Sequence, residues 1–208
     1  MEKIIEIIEK TLPQMHGWCS LEKAKKFIDL IEKQKPEVCV EIGVFGGASL
    51  IPQAMALKEN KKGKVHGIDP WTSDCALEEM VNKDHKDWWS KLDLESVYKS
   101  CIQKIEQFEL QSYCRIIRDK SENVYDTFPN GSIDILHIDG NHSEALSYKD
   151  AVLYLPKVKK NGYIMFDDIW WTEQDNYVTT RKAIVHLLEK CDKVELINND
   201  CMLLQRVK

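Results

Sequence analysis

Five short apolar runs, Val38–Ile42, Val65–Ile68, Cys114–Ile117, Ile133–Ile138 and Gly162–Phe166, are separated by longer amphipathic or polar stretches. Each run is too short for a helix and mostly apolar, so each reads as a buried strand. Parallel strands separated by helices need right-handed crossovers, which predicts a Rossmann-like, doubly wound, mostly parallel α/β sheet with helices on both faces. The alternation breaks at the end. A helical stretch over Tyr177–Lys190 leads into Lys193–Ile197 and Cys201–Val207, which flank the polar turn Asn198-Asn199-Asp200, so the sheet should finish with an antiparallel hairpin. Two helices are predicted ahead of the strands, Glu2–Thr11 and Leu21–Gln34, the second capped by Ser20 and stopped before Pro36.

The 208 residues suffice for one domain: N-terminal helices over 1–36, an α/β core over 37–208, and a tryptophan-bearing excursion, Trp71–Leu92, placed to act as a lid. With 29 Lys+Arg against 34 Asp+Glu the net charge is -5, which gives no electrostatic reason to expect nucleic acid or an anionic membrane as partner. A small-molecule or glycan acceptor fits better, and a homo-oligomer is left open. The seven cysteines lack CxxC or His-paired spacing and read as free thiols. Charges recur through the opening MEKIIEIIEK and no 18-residue apolar run exists, so a soluble, cytoplasmic protein is expected.

In an open parallel sheet, ligands bind beyond the carboxyl ends of the strands. The first end reads Glu41-Ile42-Gly43-Val44-Phe45-Gly46-Gly47, where the glycines let backbone turn tightly and approach a flat ligand. The second carries Asp69, 26 residues after Gly43, about where an acid accepts hydrogen bonds from ribose hydroxyls. Together they point to an adenosine-type cofactor; the alternative is a plain tight turn, with Asp69 capping a helix or opening the Asp69-Pro70 turn. At the third end Asp119 and Ser121 offer polar groups to an adenine edge, or Ser121 is simply a helix N-cap. The fourth and fifth ends carry Asp139 and the pair Asp167-Asp168. Three converging carboxylates suit Mg²⁺, or Mn²⁺ or Ca²⁺, unless each bonds the amides of its own turn. Because consecutive strand residues face opposite ways, Asp167 and Asp168 can share one ion only if the chain leaves strand geometry between them.

Glu41-x-Gly43-x-x-Gly46-Gly47, His66-Gly67-Ile68-Asp69, Ile135-Leu136-His137-Ile138-Asp139-Gly140-Asn141-His142 and Gly162-Tyr163-Ile164-Met165-Phe166-Asp167-Asp168 occur in an order that resembles class I S-adenosylmethionine-dependent methyltransferases. Among these the chain is similar to the metal-dependent sugar O-methyltransferases related to macrocin O-methyltransferase. The resemblance implies a seven-stranded sheet, with Glu41 and the glycine loop at the methionine end of S-adenosyl-L-methionine and Asp69 at its ribose. It also implies that Asp139, Asp167 and Asp168 hold the divalent cation. The chain departs from that family where Ser143-Glu144-Ala145 stands in place of a Tyr-Glu pair.

The expected reaction is metal-assisted methyl transfer to a hydroxyl of a sugar or glycoside with vicinal hydroxyls. His142 is the candidate general base, with Asp139 as the alternative proton acceptor and helix capping as the structural reading of His142. His137, two residues before Asp139, reads as a structural hydrogen-bonding partner. A catechol-like acceptor is the close variant; a cofactor-binding module and an NAD-dependent oxidoreductase are the distant ones. The last is disfavoured because the loop is not G-x-G-x-x-G.

Overall fold

The computed structural model describes residues 1–173 and 175–208 and opens with two amphipathic helices, α1 (Glu2–Thr11) and α2 (Leu21–Gln34). The Ser20 side chain caps α2 by accepting from Lys23 N at 3.0 Å. Strand and helix then alternate: β1 (Val38–Ile42), α3 (Leu50–Asn60), β2 (Lys64–Ile68), α4 (Ser73–Leu77), α5 (Lys83–Ser90), α6 (Leu94–Gln107) and β3 (Cys114–Ile117). After them come α7 (Ser121–Val124), β4 (Ile133–Ile138), α8 (Glu144–Tyr154), β5 (Val158–Phe166), α9 (Arg181–Leu188), β6 (Cys191–Ile197) and β7 (Cys201–Arg206).

The strands hydrogen-bond in the order β3-β2-β1-β4-β5-β7-β6. Strands β1 to β5 pair in parallel, whereas β7 runs antiparallel to both β5 and β6, as the hairpin signature predicts. Strand periodicity divides the interior in two. Cys39, Ile135 and Met165 face a core closed by Phe27 of α2, Leu50 of α3 and Cys101 of α6. Val40, Leu136 and Ile164 face the other, closed by Tyr154 of α8 and Leu187 of α9. Both faces are therefore covered, the condition that lets the central strands carry apolar residues on both sides.

Some boundaries move from their predicted places. β5 begins at Val158, four residues before its apolar run, because Val158 already pairs with Ile133; the register then shifts, and regular pairing resumes at Tyr163 opposite Ile135. α9 begins at Arg181 rather than Tyr177: Val178 forms an isolated bridge to Thr172, and the Thr179 and Thr180 hydroxyls bond His142 O at 2.5 Å and Asp168 O at 3.0 Å. Trp71–Leu92 contains α4 and α5. Among the described residues no helix is long and apolar enough to cross a membrane.

Gly43, just beyond β1, has φ +83°, and a Cβ there would lie 1.9 Å from the Asp139 carbonyl oxygen. Gly43→Ala is therefore expected to cost about 3 kcal/mol or more, from overpacking and left-handed strain together. Gly131, at φ +64° with nothing within 4 Å of its Cβ position, provides the comparison. Gly131→Ala should cost only about 1 kcal/mol, and urea melts of the two variants measure the difference.

Candidate active site

At the tip of β1 the loop 43–47 folds around one acid. Asp69 Oδ2 accepts from Val44 N at 3.0 Å and Phe45 N at 2.9 Å, and Oδ1 accepts from Trp71 N at 2.8 Å. The Trp71 indole closes the circuit by donating to Phe45 O at 2.8 Å. Phe45 and Trp71 both sit at positive φ, +49° and +47°, a conformation that costs a non-glycine residue about 1–2 kcal/mol. The three backbone bonds to Asp69 hold them there. This amends the expectation for Asp69: it lines the cavity, but three of its roughly four acceptor positions organise the loop, leaving about one for a ribose hydroxyl.

Other predicted cofactor contacts are also displaced. Glu41 is completely buried, accepting from Ser49 Oγ at 2.9 Å and Gln53 Nε2 at 2.5 Å and facing His137 Nδ1 at 3.1 Å. As the penultimate residue of β1 it points inward, its carboxylate held by Ser49 and Gln53 at the start of α3. Gly46 and Gly47 serve packing: a Cβ would strike His16 O at 2.3 Å in one and Cys101 Sγ at 2.9 Å in the other. Asp119 Oδ1 accepts from Lys120 N and Asn123 Nδ2, both at 2.7 Å, which turns it into its own helix start. Ser121 does line the cavity, yet Lys120 is the N-cap of α7, and Ser121 Oγ donates to Asp150 Oδ1 at 2.5 Å.

The burial of Asp150 has a pH consequence, which the Ser121 bond only moderates. Burial pushes the Asp150 carboxyl up to about 7 from its ordinary 3.8. Between those values the folded chain holds a proton that the unfolded chain has released, so this residue makes stability fall as pH rises through the window. Asp150→Asn keeps an oxygen acceptor for Ser121 without the charge. Its melting temperature should exceed that of the parent by a margin that grows from about pH 4 to about pH 7 and then levels, as thermal melts across that range would show.

The acidic end divides in two. Asp139 and Asp167 share strand parity with Ile135 and Met165 and therefore project toward α2, where Lys23 meets them. Lys23 Nζ donates to Asp167 Oδ2 and to Trp18 O and lies 3.9 Å from Asp139 Oδ2. His137 Nε2 stands 3.6 Å from Asp167 and 3.8 Å from Asp139. Burial opposes ionisation of Asp167, but the His137 ring and the Lys23 ammonium overcome it and hold that carboxyl well below its usual range. Asp139 goes the other way, pushed up by burial and by the neighbouring Asp167 charge.

Asp168 leaves strand geometry at φ +52°, and its carboxylate faces the other side of the tip. There Asp168 Oδ2 lies 2.9 Å from His142 Nε2, which is 3.9 Å from Asp139 Oδ1. Burial would lower the His142 pKa, but Asp168 reverses this and raises it. Ser143, not His142, caps α8. Asp139, His142 and Asp168 line the cavity and offer ligand atoms within 4.8 Å of one another, whereas Asp167 belongs to a separate, buried group with His137 and Asp139. The three aspartates of the expected set thus fall into two groups that share Asp139. Asp167 has its countercharge in Lys23, and the carboxylates free to face a ligand are Asp139 and Asp168.

Between the glycine loop and these acids lies a cavity of about 580 Å³. Trp71–Leu92 forms one wall, pinned by Glu173, which accepts from Val81 N at 3.1 Å, Asn82 N at 2.8 Å and Trp171 Nε1 at 2.9 Å. Trp171 also packs against His85 and His142, with ring centroids 4.8 and 4.7 Å apart. Its neighbour Trp170 turns to solvent. Trp18 stacks on Phe45 at 5.4 Å and leans on Trp88 at the same distance. Lys23, Trp18, Glu173 and Asp200 escape a reading of strand ends because they arrive from other segments; the one signal in sequence was Asp200, whose hairpin turn had to return to the same rim.

A doubly wound sheet with a reversed last strand and its ligand space over the carboxyl ends of β1, β4 and β5 has the architecture of the methyltransferase class. The chain belongs to the methyltransferase-domain family, whose pattern matches residues 40–169, more than half of its length. Over 130 residues, 62% of the chain, it is 38% identical to uncharacterized protein R132 of Acanthamoeba polyphaga mimivirus. The match covers 50% of R132, so the chain spans about half the length of that curated relative. Solved structures share the fold. The O-methyltransferase TomG of Streptomyces achromogenes, in complex with SAM, has TM-score 0.65 at 16% identity, covering 92% of this chain and 82% of that one. An O-methyltransferase of Bacillus cereus in complex with SAH has TM-score 0.67 at 15% identity, covering 99% and 91%.

Proposed function

We propose that the protein is an S-adenosylmethionine-dependent O-methyltransferase, assisted by Mg²⁺ or Mn²⁺ and acting on a hydroxyl of a sugar or glycoside. One observation carries this reading: a single cavity runs from the Asp69-organised glycine loop to the Asp139–His142–Asp168 group. Ser121 and Lys120 at the tip of β3 bound the nucleoside end.

When bound, S-adenosylmethionine supplies a methyl carbon that bonds to the acceptor oxygen as its bond to sulfur breaks, the electron pair staying on sulfur. An alcohol attacks poorly while it keeps its proton. In this reading the task of taking it falls to His142, which lies 2.9 Å from Asp168. Asp139 and Asp168 have the hard oxygen donors to hold Mg²⁺ or Mn²⁺, which would orient vicinal hydroxyls and lower their pKa. Thr180 and Trp171 N, both bonding the Asp168 carbonyl at 3.0 Å, fix the turn that presents its carboxylate.

The aromatic walls also suit a flat catechol-like ring, the second reading. A cytoplasmic setting agrees with the seven free cysteines, five of them buried.

Calorimetry with S-adenosylmethionine and with NAD, each with and without Mg²⁺, tests the class. The former should bind in either condition and NAD should not. S-adenosylhomocysteine release with glycosides and catechols, with and without EDTA, then tests transfer and its metal dependence. Tighter binding of NAD, or transfer indifferent to EDTA, would refute the corresponding part of the reading.

A further inference from the structure

The charges lining the cavity are one-sided. Eight Asp or Glu side chains line it, against two lysines, Lys120 and Lys149, among the described residues. Both lysines stand at the nucleoside end and are already paired, Lys120 with Glu78 at 2.6 Å and Lys149 with Glu122. Lys23, which is not among the lining residues, is committed to Asp167. The opposite end presents Asp168, Glu173 and Asp200 together with the rings of Trp18, Trp88 and Trp171. Trp18 and Trp88 keep 66% and 43% of their surface exposed although they touch each other, so each offers uncovered ring to a ligand.

We propose that this end selects an uncharged ring and rejects phosphate and carboxylate, so that glycosides or neutral diols are methylated but nucleotide-linked sugars, uronic acids and coenzyme A thioesters are not. The inference rests on the O-methyltransferase reading and narrows its substrate class. A neutral ring gains stacking on the tryptophans and loses little on leaving water. An anion there meets like charge, since the two histidines of that end already face carboxylates, His142 at 2.9 Å from Asp168 and His85 at 3.4 Å from Glu173, and like-charge contact costs several kcal/mol. A divalent ion held by Asp139 and Asp168 would cancel those two charges and still leave Asp200 unopposed. Asp200, the exposed tip of the β6–β7 turn, has backbone bonds to Ile197 and Ile169 but no side-chain hydrogen bond among the described residues, so its charge can be changed without disturbing the turn.

Matched pairs test this by S-adenosylhomocysteine release: methyl glucoside against methyl glucuronide, glucose glycosides against UDP-glucose, catechol against 3,4-dihydroxybenzoate. Within a turned-over pair, kcat/KM should favour the neutral member at least about tenfold. Asp200→Lys should shrink that ratio by about tenfold, with cofactor affinity unchanged by calorimetry. Equal rates within the pairs, or an Asp200→Lys effect equal on both members, would overturn the selectivity while leaving methyl transfer standing. Transfer to no member by protein that binds S-adenosylmethionine would overturn the O-methyltransferase reading and the selectivity with it.

Discussion

Asp168→Asn is expected to lower kcat about a hundredfold or more while leaving the fold and the affinity for S-adenosylmethionine close to those of the parent protein. The size follows from the two tasks this carboxylate is proposed to combine, orienting His142 and offering charge to a cation beside Asp139. The fold should survive because asparagine tolerates the left-handed turn at φ +52°, and the backbone bonds from Thr180 and Trp171 do not involve the side chain. Asp139→Asn should lose turnover to a similar degree. Steady-state rates, calorimetry and thermal melts on the same preparations separate the effects. A variant of Asp168 with full turnover, beside an inactive but fully stable Asp167→Asn, would move the reacting group to the buried side of the strand tips.

The sheet was readable because its signals are local. Run length and apolarity identified the five parallel strands, and the Asn198-Asn199-Asp200 turn identified the reversed hairpin. Boundaries were displaced where a strand pairs outside its apolar run, as at Val158, which meets Ile133 across a break in register. The acids were readable as a set but not in their division. Strand parity already implied that Asp167 and Asp168 diverge, and the left-handed residue at 168 does not bring their carboxylates together. Parity also carried the correction for Glu41, which shares the face of Cys39 and is therefore driven beneath α2. Long-range partners left no local trace: Lys23 reaches Asp167 across 144 positions. Lys23, Trp18, Trp171, Glu173 and Asp200 all lie outside the matched segment 40–169, whereas the glycine loop, Asp69 and Asp139 lie within it.

Lys23→Met is expected to be the most destabilising of the single charge deletions, costing about 3–5 kcal/mol. For a chain of this size that lowers the melting temperature by about 10 °C. The Lys23 and Asp167 side chains are only 7% and 5% exposed, so water cannot replace the lost partner. Removing the ammonium leaves Asp167 ionised beside Asp139, with only the His137 ring to share their charge. Methionine has similar length and packs against apolar neighbours without strain, so the loss reports charge rather than volume. The double variant Lys23→Met/Asp167→Asn should recover most of the stability, because deleting both partners of a buried pair is far cheaper than deleting one. The mutant cycle then isolates their coupling. If Lys23→Met melted with the parent protein, Lys23 would have to lie in water, and Asp167 would again be free to join Asp139 and Asp168 around a cation. The same cycle therefore decides which carboxylates face the ligand, without any need to know the acceptor.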